Sequence, residues 1–412
     1  MSEASLKRAT ITLAVALSLG AASGASAQRY EVAPVLDANT YLPRALLSGP
    51  NHQVDRQILN DGYMNHFTIQ TKFGTFKAQS NFELGIRVNE ANALAAMESI
   101  SNSDKFASAV VATGGKVVEG AENLITKPVS TIRGTISGVG ALFRRAGDSL
   151  SEPASDAEDN ALRRATGFST IKRKYAREFG VDVYSSNPVL QQRLDSLAQA
   201  TALGGLSASA ALLLVPGGAG AAVSVSKGTQ TMNDVDVNRP PTDLRQMNRE
   251  RLGAMGVHPD LVDLFIRNPV YSPTQQTLLV DALNKMSNTA DRGVFVKFAI
   301  HTSTDDVALF RQRQAQMYAA YNSGVAPLER FVPIGTFTAA QAGDGTVVFN
   351  VPLDHLVWTE AMANIVRAAT AASEGAKARR LISLGSVSET ARTSLRSLGW
   401  DVQENAGLIT VW

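Results

Sequence analysis

Two periodicities divide the chain. Over about 52–80 apolar and polar positions alternate, with Phe67, Ile69 and Thr71 on one side of the run. That is the period of a half-buried strand. Asn60-Asp61-Gly62 and Gly74 supply turns between such runs, which predicts an antiparallel meander. From Phe82 to about Ser99 the period lengthens, and Leu84, Val88, Ala91, Leu94 and Met97 share one face of a helix. A second helical stripe joins Ile125, Val129, Ile132, Ile136, Val139 and Phe143, and Arg144 and Arg145 close it. Gly134, Gly138 and Gly140 interrupt that stripe, each at a cost of about 1 kcal/mol relative to alanine. Small residues there let another helix approach closely.

Asn187-Pro188 is a helix start, an Asn cap before a first-position proline. Residues 243–323 read as successive helices, with Thr242, Ser272 and Ser303 as caps and Pro259 and Pro273 as starters. Beyond about 328 the short period returns. Phe331–Phe337 and Thr346–Val351 read as strands joined through Ala-Gly-Asp-Gly. A helix from Thr359 to about Ala378 follows, then strand, Ser-capped helix and strand, with "GLITVW" as a final strand. The βαβ order predicts a parallel pair with a right-handed crossover. Residues 28–50, broken by Pro34, Pro43 and Pro50, read as an extended leader.

The expected fold class is therefore α+β: a small N-terminal antiparallel β meander, a large helical middle, and a small C-terminal α/β domain. The boundaries fall at 28–100 for the meander and its helix, 101–240 for the Gly/Ala-rich region, 241–327 for a helical bundle, and 328–412 for the α/β domain. A length of 412 residues suits two or three domains.

Ser196–Ser226 carries no charged side chain. Pro216-Gly217-Gly218 splits it into two arms, each shorter than the ~20 residues a membrane span needs. The expectation is a hairpin buried by the fold, with Leu212, Leu213 and Leu214 packed against 103–145 or 243–323. The alternative is a membrane-contacting element, for which Leu212, Leu213, Leu214, Ile132, Ile136, Phe143, Arg144 and Arg145 are the contact residues. The basic run 163–177 could meet anionic lipid or be neutralised by Glu152, Asp156, Glu158 and Asp159.

Charge and composition narrow the classes. A formal charge of +2 does not fit a dedicated nucleic-acid binder, which carries a strong basic excess. The absence of cysteine removes disulfides, thiolate metal sites and thiol nucleophiles. Lys7 and Arg8, then an uncharged apolar stretch, then Ala25 and Ala27 at small-residue positions predict a signal peptide over 1–27. The expected setting is the bacterial periplasm, with an anionic membrane surface or an envelope protein as partner.

Catalytic motifs are poor. "GDSL" at 147–150 spells the nucleophile block of the GDSL esterases, but it follows a basic helix end and lacks the downstream Asp-x-x-His pair. Ser224 and Lys227 form an S-x-x-K spacing without a Lys-Thr-Gly element anywhere in the chain. "DVDVN" at 234–238 starts like a calcium loop, yet Arg239 and Arg245 stand where Gly and Glu belong. None of the five histidines has a metal-face partner, and no cofactor or metal is expected. The best enzyme-like cluster is Asp354, His355 and Glu360, just after a predicted strand, where α/β domains often hold functional groups.

"NDGYMNHFTIQTKFGTF", "YSSNPVLQQRLDSLA", "NPVYSPTQQTLLVDAL" and "VPLDHLVWTE" resemble stretches of a family of exported proteobacterial proteins of unknown activity. The resemblance implies bacterial export and transfers no catalytic residue. Three functions follow as expectations. The leading one is a non-enzymatic envelope protein contacting a membrane or partner through 103–226. The others are a hydrolase or small-ligand-binding protein using the C-terminal domain, and a purely structural scaffold.

Overall fold

In a computed structural model, the structure describes residues 30–101, 167–204, 237–335 and 337–409, together with Ser103, Ser108 and Val235. The N-terminal unit is a curled antiparallel sheet of β1 (Val35–Asp37), β2 (Ser48–Gly49), β3 (His52–Val54), β4 (Gln57–Asn60), β5 (Asn65–Thr71) and β6 (Gly74–Ala78). The middle strand β5 organises it. Its start pairs with β4, its end with β3 along the same edge, and its other edge carries β6. The expected meander is present. The leader is not simply extended, because α1 (Ala38–Tyr41) and α2 (Arg44–Leu47) form within it. Asp37 caps α1 by accepting from Asn39 N at 2.9 Å, and Pro43 stands at the N-cap of α2.

The long α3 (Asn81–Ser101) lies on this sheet, and the five positions of the predicted face are buried. α4 (Phe168–Glu178) and α5 (Pro188–Gly204) share the same core, through Tyr175, Phe179, Leu190, Leu194 and Leu197. An ion-pair network staples α3 to the loop before α5. Arg87 bonds Glu83 at 2.8 Å and Glu90 at 3.0 Å, and Asn187 donates to Glu90 at 2.8 Å. Burial disfavours the Arg87 charge, but Glu90 and Glu83 outweigh it and hold the guanidinium protonated.

The helical middle continues with α6 (Pro241–Ala254), α7 (Pro259–Ile266), α8 (Pro273–Lys285), α9 (Arg292–Ala299) and α10 (Asp305–Gly324). Ser272 forms a full capping box with Gln275. Two predicted caps shift: Pro240, not Thr242, precedes α6, and Thr304, not Ser303, precedes α10. Pro241 at a first helical position lacks the N–H that a cap would satisfy, and the helix starts two residues earlier than predicted. Among the described residues no helix is long and apolar enough to cross a membrane. The stripe 125–143, the run 205–226 and "GDSL" lie outside the described residues.

The C-terminal sheet runs β13-β11-β9-β8-β7. Its strands are β7 (Leu328–Ile334), β8 (Phe337–Ala342), β9 (Thr346–Val351), β11 (Ala378–Ser383) and β13 (Trp400–Gln403). β7, β8 and β9 are antiparallel neighbours, whereas β9, β11 and β13 are parallel. α11 (Glu360–Ala372) and α12 (Glu389–Ser397) make the two crossovers. Gly335, at φ 59°, turns the chain inside the predicted 331–337 strand and splits it in two. Ser373 ends α11 well before Ala378, which instead opens β11. No strand forms at 407–409, and Thr410–Trp412 lie outside the described residues.

A two-residue parallel ribbon, β10 (His355–Leu356) with β12 (Ser386–Val387), joins the ends of β9 and β11. Gly385 makes this possible. A Cβ there would stand 1.8 Å from the Asp354 carbonyl oxygen. Gly385→Ala is therefore expected to cost about 3 kcal/mol, the upper range for overpacking. The expected outcome is a thermal midpoint well below wild type, with a chemical-shift map that places the largest changes at 352–358.

Candidate functional site

The carboxyl ends of β9 and β11 face the N-terminal sheet, and the segment after β9 is stitched to it. Asp354 N and Val357 N donate to Tyr63 O and Gly62 O at 3.0 and 2.8 Å. Asn60 Nδ2 reaches His355 O at 3.2 Å. Glu31 accepts from Trp358 N at 2.7 Å and from Ser388 Oγ at 2.5 Å. The buried Asp354 carboxylate completes the junction, since its Oδ2 accepts from Asn65 N and Asn81 N, both at 3.0 Å. Asn81 is the first residue of α3, so the carboxylate sits where the helix dipole favours negative charge. Around it, Asn65 and Asn81 donate to Tyr41 Oη at 2.8 Å, and Asn60 donates to Asn65 Oδ1 at 2.9 Å.

Next to this junction lies a cavity of about 320 Å³. Its walls come from three parts of the chain: Met64 and Phe82 from the N-terminal unit, Phe310 and Arg311 from α10, and Phe337, Phe349, Met362 and Trp400 from the C-terminal domain. Phe349 packs edge-on against Phe337 and Trp400, with ring centroids 5.9 and 6.2 Å apart. Three of the few exposed large apolar side chains, Tyr63, Val307 and Ile365, also line it. They give it an apolar mouth. The position, at the carboxyl ends of parallel strands, is the usual ligand site of open α/β sheets.

Two arginines of α10 enter this space. Arg313 stacks its guanidinium 3.7 Å from the Phe82 ring centroid. Burial pulls its pKa down to about 9, against the attraction of Asp354. Arg311 donates to Gln314 Oε1 at 3.0 Å. Asp354 is pushed up to about 7, mainly by burial, with the two backbone donors and Arg313 acting in the opposite sense.

The three predicted catalytic candidates do not form a site together. Asp354 lines the cavity; His355, its neighbour on an extended segment, does not, and its Nδ1 lies 2.7 Å from Ser386 Oγ. Burial lowers the His355 pKa. Glu360 is exposed at the start of α11 and lies outside the cavity lining. The eight predicted contact residues, Leu212, Leu213, Leu214, Ile132, Ile136, Phe143, Arg144 and Arg145, lie outside the described residues. Sequence reading missed Arg311, Arg313 and the aromatic lining. Arg311 and Arg313 fall in a helix with little amphipathic signal, where an arginine reads as solvated.

A larger space of about 620 Å³ separates α3 from α8 and α10. Its main polar groups are already engaged. Arg87 pairs with Glu83 and Glu90, Lys285 with Asp281 at 2.8 Å, and Asp182 accepts from Thr274 Oγ1 at 2.6 Å. Among the described residues no group of three His, Asp or Glu side chains could hold a metal ion. No family model, no curated protein and no solved structure matches the chain.

Asp354 has a testable pH signature. Its folded pKa lies above its unfolded one, so the folded state binds the proton more tightly. Stability from this group is greatest below about pH 4 and is lost as pH rises to about 7. Asp182, pushed to about 6 by burial, contributes the same slope over a lower window. Asp354→Asn keeps an acceptor for both N–H groups and removes the charge. It is expected to melt progressively above wild type as pH rises from about 4 to about 7, and by a constant margin above that. Asp354→Ala orphans two buried donors, at about 1–3 kcal/mol each, and is expected to melt lower at every pH. Thermal melts from pH 4.5 to 8.5 check both.

Proposed function

We propose that the protein is a binding protein for a small, largely apolar molecule, held in the cavity between the N-terminal sheet, α10 and the C-terminal domain. The observation that carries this reading is an aromatic-lined space of about 320 Å³ with an exposed apolar mouth. Its size and composition are those of ordinary ligand pockets. Binding is favoured over turnover because the acid and the histidine nearest the cavity are already engaged. The Asp354 carboxylate caps α3 and β5, and His355 is turned to Ser386. The leader predicted over 1–27 makes the envelope the proposed setting. Contact with a membrane or partner through 103–226 remains a separate proposal, motivated by the uncharged run Ser196–Ser226.

Ile365 stands half-exposed on α11 at the mouth, so it can be enlarged with little cost to the core. The wild-type protein is expected to enhance the fluorescence of an environment-sensitive apolar dye at a single saturable site, and Ile365→Trp to weaken that binding at least about tenfold, or 1.4 kcal/mol. An unchanged titration in a variant that melts like wild type would overturn the reading.

A further inference from the structure

We infer that the ligand is an amphiphilic monocarboxylate, its hydrocarbon body in the aromatic cavity and its head group on the guanidinium of Arg311. This inference rests on the binding reading above and names its ligand class. The argument starts from charge matching around the cavity. Four carboxylates line it. Asp61 accepts a hydrogen bond from His66 at 2.9 Å, and Glu83 pairs with Arg87 at 2.8 Å. Asp354 accepts two backbone N–H groups and faces Arg313. Asp306 is exposed on the first turn of α10.

Arg311 is the exception. It is largely buried, and among the described residues no carboxylate lies within ion-pair distance of it. Its hydrogen bond goes to a neutral amide, Gln314, whose own Nε2 is spent on Asn350 O at 3.0 Å. Its Nε is buried with no hydrogen-bond partner among the described residues. The titratable groups that face it are two tyrosines, Tyr271 and Tyr318, both kept neutral because burial raises their pKa values, and burial lowers the pKa of Arg311 itself. A guanidinium keeps its proton under such conditions, so the uncompensated charge persists. Burying an unpaired charge is costly, and an anion beside it relieves that cost.

The stoichiometry selects the head group. One unmatched cation takes one negative charge, and a dianion such as a phosphate monoester would meet Asp354 and Glu83 with charge to spare. A planar carboxylate also fits the guanidinium fork. The walls select the remainder, since Phe337, Phe349 and Met362 carry no N–H or O–H group and the Trp400 indole N–H is spent on Thr370 Oγ1 at 2.8 Å.

The test compares decanoate, decanol and decylamine by calorimetric titration of the full chain. Wild type is expected to bind decanoate at least about tenfold more tightly than decanol and to bind decylamine most weakly, as a charge-assisted hydrogen bond would require. Arg311→Met is expected to lose the preference for decanoate while keeping decanol binding; Arg311→Lys, which keeps the charge, is expected to retain the preference. Without ligand, Arg311→Met is expected to melt no lower than wild type, because it removes an unpaired buried charge. Equal binding of decanoate and decanol by wild type, or an undiminished preference in Arg311→Met, overturns the monocarboxylate and leaves the apolar site standing. Binding of neither amphiphile, with no response of the dye to Ile365→Trp, overturns both. Should Arg311→Met not fold, the wild-type ligand series and Arg311→Lys decide alone.

Discussion

One buried carboxylate ties the two ends of the molecule together. Asp354 belongs to the C-terminal domain, yet the two N–H groups it satisfies begin β5 and α3 of the N-terminal unit. The Asn81 donor has no partner within α3, because it is the first N–H of the helix, and the Asn65 donor opens β5. Around this contact the asparagines Asn60, Asn65 and Asn81 close a network with Tyr41. Low local dielectric makes such a network strong when complete and costly when broken. The cavity beside it inherits its shape from that rigidity, because its walls come from all the units the network holds.

The sequence was most informative where one element decides its own fate. The alternation around Phe67 and Ile69, the face of Leu84 to Met97, and the cap at Ser272 are all local, and all appear in the structure. Errors arose where a single backbone position intervened. Gly335 splits one predicted strand, and a proline displaces the cap at Thr242. In the leader, the Asp37 cap and Pro43 wind short helices that the prolines had suggested were absent.

The site was far less legible. Asp354 was singled out with His355 for the wrong reason, as a pair, whereas an extended backbone sends adjacent side chains in opposite directions. The acid found the cavity and the histidine found Ser386. Met64, Phe310 and Phe349 are ordinary core residues by pattern, and only tertiary structure leaves a gap between them. Arg311 carries no local signal at all. Its meaning lies in the carboxylate that fails to accompany it, and an absence of that kind is visible only once neighbours from distant sequence are assembled.

The same junction bears on the order in which the chain can fold. Asp354 meets partners 289 and 273 residues away, and Glu31 meets Ser388 across 357 residues. Contacts of such separation are closed late, after loop entropy has been overcome by more local structure. During synthesis β5 and α3 are made early, but their exposed donors wait for nearly the whole chain to emerge. Until then α3 has its local cap, Ser80 Oγ accepting from Glu83 N at 3.0 Å, but no acceptor for its first N–H, so full protection of that N–H against exchange with solvent is a property of the finished chain alone.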